Sequence, residues 1–211
     1  MSASAAAARR RLLIATGSRH KLDELRALLE LPGTELVGLA DVGLADDAPE
    51  EGTTFAANAV FKARWYADRS GLPTLADDSG LEVDFLHGAP GVRTRRFAGE
   101  AATDEQNNAH LLALLEGVAP SARGARYRCV LALAEPGPGE RDVVTTTGIF
   151  EGRIALAPRG SNGFGYDPIF EPASEPIGGR TVGELSSDEK NRRSHRAQAA
   201  RAMRETLIER G

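Results

Sequence analysis

RYRCVLALAEPGPGERDVVTTTGIFEGRI, residues 126–154, decides the fold class. Two strand-like runs, Arg126 to Ala134 and Asp142 to Ile154, flank Glu135 to Glu140 (EPGPGE), whose prolines and glycines interrupt any regular pairing. The stretch predicts two long strands joined as a hairpin. Upstream the pattern differs. Leu12 to Thr16 (LLIAT) is a short apolar run ending at Gly17, as a buried strand does. Leu22, Leu25, Leu28 and Leu29 recur at helical spacing until Pro32-Gly33. Glu35 to Leu39 is a candidate second strand, and Asp41 to Gly52 an acidic surface loop. Thr53 or Thr54 caps a helix running to about Ser70, with Gly71 and Pro73 beyond it. Thr74 to Ala76 is a short strand ending in Asp77-Asp78-Ser79-Gly80, and Leu81 to Leu86 another. Thr103 to Gln106 fits a capping box, followed by Leu111, Leu112, Leu114 and Leu115. Ser186 and Glu189 open a last helical region that closes near Arg210. Alternating strands and helices followed by an antiparallel hairpin predict a mixed α/β sheet with flanking helices, in one domain over residues 11–211.

The chain has 211 residues, 41% hydrophobic and 27% charged, enough to bury a core without disulfides or a structural metal. Lys+Arg is 26 and Asp+Glu is 30, a formal net charge of -4, which argues against a general nucleic-acid coat and leaves room for a small cationic pocket. One cysteine, Cys129, excludes an internal disulfide and a Cys-based zinc cluster, and points to a cytoplasmic setting. His20, His87, His110 and His195 show no metal-ligand spacing. No apolar run approaches the ~20 residues of a membrane span. Met1 to Arg11 (MSASAAAARRR) is transit-peptide-like in its arginines but lacks a secretory apolar stretch, and residues 1–10 read as a disordered tail.

Four segments carry potential chemistry. Thr16-Gly17-Ser18-Arg19-His20-Lys21 joins a strand to a helix, a geometry whose backbone N–H groups and first-turn lysine suit an anion, although a plain solvated turn has the same sequence. Asp77-Asp78 is a carboxylate pair at an expected strand end, suited to a hard cation such as magnesium; Asp-Ser-Gly is equally ordinary turn chemistry. Gly163-Phe164-Gly165-Tyr166-Asp167-Pro168 places an aromatic between glycines, able to lie flat on a planar ligand or to plug the core edge. Lys190 with Ser194-His195-Arg196 sets donors beside a helix start, or is a solvated basic stretch. Glu50-Glu51, before the helix carrying Asn58 and Lys62, adds acidic candidates. Phosphate-binding cations, metal-binding carboxylates and a ring-stacking Phe together describe a nucleoside triphosphate site.

These motifs, in this order, resemble those of the inosine/xanthosine triphosphate pyrophosphatases from about Leu12 to Leu207. The opening ATGNxxKxxE is matched by Ala15-Thr16-Gly17-Ser18-Arg19-His20-Lys21 with Glu24. The middle signature is matched by Ala76 to Leu81 and Gly88 to Val92, and the last two by Phe164 to Pro168 and Lys190-Asn191-x-x-Ser194-His195-Arg196. The resemblance implies an elongated mixed sheet, two lobes around a central cleft, a homodimer, and magnesium-dependent hydrolysis of ITP, dITP and XTP to monophosphate and pyrophosphate. It implies that Thr16 to Lys21, with Lys62, hold the triphosphate, that Asp78 is the general base and a metal ligand, and that Ser79 touches substrate. It places Phe164, Gly165, Tyr166, Asp167, Lys190, His195 and Arg196 around the nucleotide, and Glu50 beside the metal; Asp77 either shares the metal or tunes the pKa of Asp78. Two departures stand out: Ser18 replaces the family's Asn, and Ala57 replaces the Glu of FxENA. The competing readings are a related pyrophosphatase for modified pyrimidine triphosphates, a silent nucleotide sensor, and nucleic-acid binding through Arg93 to Arg96.

Overall fold

The computed structural model describes residues 9–49, 51–139 and 142–210. Six strands form one mixed sheet: β1 (Arg10–Ala15), β2 (Thr34–Gly38), β3 (Thr74–Val83), β4 (Gly124–Ala134), β5 (Val144–Ile154) and β6 (Phe170–Pro172). Their order is β2-β1-β3-β4-β5-β6. β1 lies parallel to β2 and β3, and β3 to β6 pair antiparallel. The helices are α1 (Arg19–Leu29), α2 (Phe55–Ser70), α3 (Asp104–Leu114), α4 (Ser187–Arg193) and α5 (His195–Glu209).

Most helix boundaries follow from capping chemistry. Thr54 caps α2 and Gly71 closes it in the left-handed conformation. Thr103 and Gln106 form the capping box of α3, and Ser186 and Glu189 that of α4. Ser194 ends α4 and caps α5, so the chain turns between two helices at one residue.

The structure corrects two expectations and adds a strand. Thr74 to Ala76 and Leu81 to Leu86 are not two strands with a turn between them. β3 runs unbroken through Asp77-Asp78-Ser79-Gly80, paired with β4 from Thr74↔Ala134 to Val83↔Ala125, and Asp84–Leu86 is a 3₁₀ turn. The long partner strand keeps the polar residues in the ladder, so their turn propensity is overridden. The strand expected at Leu12 begins at Arg10, inside the segment read as tail; Met1 to Ala8 lie outside the described residues. β6 follows the glycine-rich loop without a sequence signal, being three residues long.

Three cores explain the two lobes. On one face of the sheet Leu13, Ala15, Ala76, Val130 and Ala132 meet Ala59, Ala63 and Tyr66 of α2. On the other, Leu12, Ile14, Leu75, Cys129 and Leu131 meet Leu25 and Leu29 of α1 and Ala199 and Met203 of α5. The far ends of β3, β4 and β5 carry a separate core, in which Leu81, Tyr127, Phe150 and Ile154 pack with Leu111, Tyr166 and Phe170. Alternation of side chains along β3 sends successive residues to opposite faces. Gly148 of β5 admits the start of α5: a Cβ there would fall 2.0 Å from the His195 carbonyl oxygen and 2.8 Å from the Ala199 nitrogen.

Candidate active site

At one end of the cleft the β1–α1 turn folds tightly on itself. The Ser18 N–H donates to Thr16 Oγ1 at 3.2 Å, and Ser18 Oγ accepts from the Lys21 N–H at 3.4 Å, capping α1. The serine that replaces the family's Asn is therefore a competent helix cap. Lys21 Nζ reaches across to Asp77 Oδ1 at 2.5 Å.

Asp77 and Asp78 do not face each other. Asp77 is fully buried and accepts from Lys21, Arg196 Nε (3.0 Å), Ser79 Oγ (3.0 Å) and Cys129 Sγ (3.1 Å). Burial pushes its pKa up, but the Arg196 and Lys21 charges outweigh this and hold the carboxyl well below the usual carboxylate range. Asp78 faces α2 instead, where Lys62 Nζ lies at 2.9 Å and Asn58 Nδ2 at 3.2 Å. The expected mutual repulsion of the pair is removed by the period of the strand, and each carboxylate has its own cation.

At the other end, Asp167 staples the glycine-rich loop. It accepts from the Phe164 N–H at 2.9 Å, Lys190 Nζ at 2.8 Å and the Tyr127 hydroxyl at 3.1 Å. Gly163 makes this possible, since a Cβ there would fall 2.0 Å from Asp167 Oδ2 and its φ is +78°. The Phe164 ring is stacked with His20 at 5.2 Å and has Lys190 Nζ 4.5 Å from its centroid. His195 stacks on Tyr127 at 4.8 Å, and its Nδ1 is buried without a hydrogen-bond partner. Burial, then the charges of Arg196 and Lys190, keep this imidazole well below its ordinary pKa and hence neutral at pH 7.

Arg196 lies between the two ends. Besides Asp77, its guanidinium donates to Glu24 and to Ser79 Oγ at 2.9 Å. Glu24 in turn holds Lys190 at 2.8 Å. The side chain expected beside the base is thus engaged with protein acceptors, and its main-chain N–H lies in the first turn of α5, where the helix supplies no acceptor.

Two adjoining pockets, about 600 and 340 Å³, make up the cleft. The larger is lined by the Thr16–Ser18 turn, Lys21, Asp47, Lys62, Asp77, Asp78 and Ser79. The smaller is lined by Arg19, His20, Phe164 to Asp167, Lys190, His195 and Arg196. Both share Ser18, Lys21, Ser79, Thr94, Arg95 and Asp104. Arg19 is at the rim, its side chain largely exposed and 4.0 Å from Asp23. Glu50 lies outside the described residues. Among the described residues no three His, Cys, Asp or Glu side chains gather to hold a metal. Asp78 and Asp47 do line the larger pocket, and one or two carboxylates completed by substrate phosphates is how magnesium is commonly bound, so these residues fit such an ion.

Sequence reasoning missed the α3 contribution. Asp104 Oδ2 accepts from the Gly165 N–H at 2.6 Å, and Asn108 Nδ2 donates to the Gly165 carbonyl at 3.0 Å. The i, i+4 spacing of these two residues was the available signal. The same spacing links Asn58 to Lys62 on α2, both meeting Asp78.

A model of the Ham1 family matches residues 12–206. The dITP/XTP pyrophosphatase of Bacillus licheniformis is 44% identical over 192 residues, covering 91% of this chain and 95% of that protein. The dITP/XTP pyrophosphatase of Geobacillus kaustophilus is 46% identical over 188 residues, covering 89% of each. The solved structure of a HAM1 protein from Coxiella burnetii superposes with a TM-score of 0.84 at 41% identity, covering 95% of this chain and 99% of that one. Among the described residues no helix is long and apolar enough to cross a membrane.

Proposed function

Since this chain belongs to the Ham1 family and is a nucleoside triphosphate pyrophosphatase, we propose that it hydrolyses dITP, XTP and ITP to the monophosphate and pyrophosphate, with magnesium. The observation that carries this reading is one cleft with a carboxylate–lysine end and an aromatic, neutral-histidine end.

In this reading Asp78 accepts the proton of the water that attacks the α-phosphorus, and Asn58 and Lys62 hold its carboxylate in place. The attack is in line with the departing pyrophosphate, whose charge Lys21, Lys62 and the turn N–H groups stabilise. Asp78, with Asp47 or Glu50, would hold the magnesium ion, whose charge would neutralise the phosphates. Asp77 belongs to the scaffold that orients Lys21 and Arg196.

The base is read at the start of α5. Ser194 Oγ caps the Ala197 N–H, leaving the His195 and Arg196 N–H groups without intrahelical acceptors. A 6-carbonyl accepts from them; the 6-amino group of adenine is a donor and leaves them unpaired. A site built on such hydrogen bonds rejects the wrong analogue by ~10⁴-fold or more. The homodimer implied by the resemblance is part of the same proposal.

Phosphorus NMR of ITP, XTP, GTP, ATP and a modified pyrimidine triphosphate incubated with enzyme and magnesium tests it. IMP and pyrophosphate from ITP are expected, with ATP and the pyrimidine nearly untouched. IDP and orthophosphate as first products would overturn the mechanism, and a pyrimidine preference would favour the related enzyme class.

A further inference from the structure

The loop Gly88–Gly99 has no part in the proposed reaction, yet it supplies four residues, Val92, Thr94, Arg95 and Arg96, to the cleft wall. Its 3₁₀ segment, Gly91–Arg96, carries Thr94 and Arg95 into the lining of both pockets. The segment there is held from three directions, twice through its backbone. Thr94 Oγ1 accepts from the Leu81 N–H of β3 at 3.2 Å, the Thr94 carbonyl accepts from the Tyr166 hydroxyl at 2.8 Å, and the Arg95 carbonyl accepts from Asn107 Nδ2 at 3.0 Å.

The side chains on this fixed backbone differ in their commitments. Arg93 and Arg96 both pair with Glu100, at 3.5 and 3.9 Å. Elsewhere in the cleft Lys21 pairs with Asp77, Lys62 with Asp78, Lys190 with Glu24 and Asp167, and Arg196 with Asp77 and Glu24. Arg95 is exposed, and among the described residues no carboxylate pairs with it. It also lines both pockets, so it stands where the carboxylate–lysine end of the cleft meets the aromatic end.

We propose that Arg95 is a further catalytic residue, a cation that contacts the substrate at the α-phosphate and stabilises charge there as the bond to pyrophosphate breaks. The proposal rests on the pyrophosphatase reading above. Its physical basis is that the other cations of the cleft are already partly neutralised, whereas a triphosphate brings about four negative charges. An arginine suits the task because its planar fork can hold two phosphate oxygens at once. The anchored backbone reduces the ordering needed when substrate arrives.

The test compares wild type, R95A, R95K and R93A with ITP and magnesium, measuring pyrophosphate release, melting temperature and the salt dependence of kcat/KM. R95A is expected to lose about tenfold or more in kcat/KM, chiefly in kcat, with an unchanged melting temperature and a shallower salt dependence. R95K should recover part of the loss, and R93A should stay within twofold of wild type. R95A within twofold of wild type, or R93A losing as much as R95A, would overturn the assignment. Wild type that releases no pyrophosphate from any purine triphosphate fails the functional reading itself, a different outcome from an active wild type matched by R95A.

Discussion

Asp77 and Asp78, adjacent in the chain, are turned to opposite faces of the sheet and serve different partners. Asp77 is closed in by Lys21, Arg196, Ser79 and Cys129, while Asp78 meets Lys62 and Asn58 on the cleft wall. Consecutive strand residues cannot share a face, so a single sequence motif supplies one carboxylate closed inside the fold and one on the cleft wall.

Asp78→Asn should nearly abolish turnover while leaving the fold intact. The amide keeps the side chain's shape but is a poor proton acceptor, and losing a general base costs ~10²–10⁴-fold. Pyrophosphate release and circular dichroism melting together check this. Turnover near the wild-type rate would remove Asp78 from the reaction.

Arg196→Met should destabilise the fold by about 3–5 kcal/mol, because it strands buried carboxylates that the guanidinium now neutralises. Urea denaturation at pH 7 gives the value. Adding Asp77→Asn should restore part of the loss. In the wild type the Asp77 contribution is present above pH 3.8, the ordinary value, and is lost as pH falls from there through the depressed native pKa.

Neutral His195 gives a second pH signature. Its native pKa lies well below 6.5, so as pH drops beneath 6.5 the unfolded chain takes up a proton that the native state does not. Stability should therefore decline from pH 6.5 toward 5. His195→Gln should flatten that part of the slope, as read from urea midpoints at half-unit pH intervals. An unchanged slope would mean the imidazole titrates normally in the fold.

Gly148→Ala should cost at least ~1–3 kcal/mol, since the new methyl must displace α5 from β5. The same displacement moves His195, so KM for ITP should rise. Thermal melts and steady-state kinetics measure the two effects. Loss of stability without a change in KM would separate the helix contact from base recognition.

The sequence was most legible where local chemistry decides structure. Caps at Thr54, Thr103, Ser186 and Ser194 mark helix starts because a side-chain oxygen answers an unpaired N–H. The hairpin strands were visible as long runs around a glycine-proline loop. The course of β3 was not, because Asp-Asp-Ser-Gly has turn propensity and only its pairing with β4, some fifty residues away, keeps it extended. At the site, the motifs located most of the cleft-lining residues, but not their partners. Nothing near Asp77 in sequence announces Arg196 or Cys129, and nothing near Phe164 announces Asp104 and Asn108.

The Arg196–Asp77 pair spans 119 positions of the chain. A ribosome adds roughly 5–20 residues per second, so Asp77 waits on the order of ten seconds for its guanidinium during synthesis. Through that interval β1 to β5 can pair and Lys21 can reach Asp77, yet the nascent polypeptide still lacks the second cation of that buried carboxylate. Closure of the reaction centre is therefore among the last events of biogenesis, and premature termination before α5 yields a chain with most of its strands and no finished site.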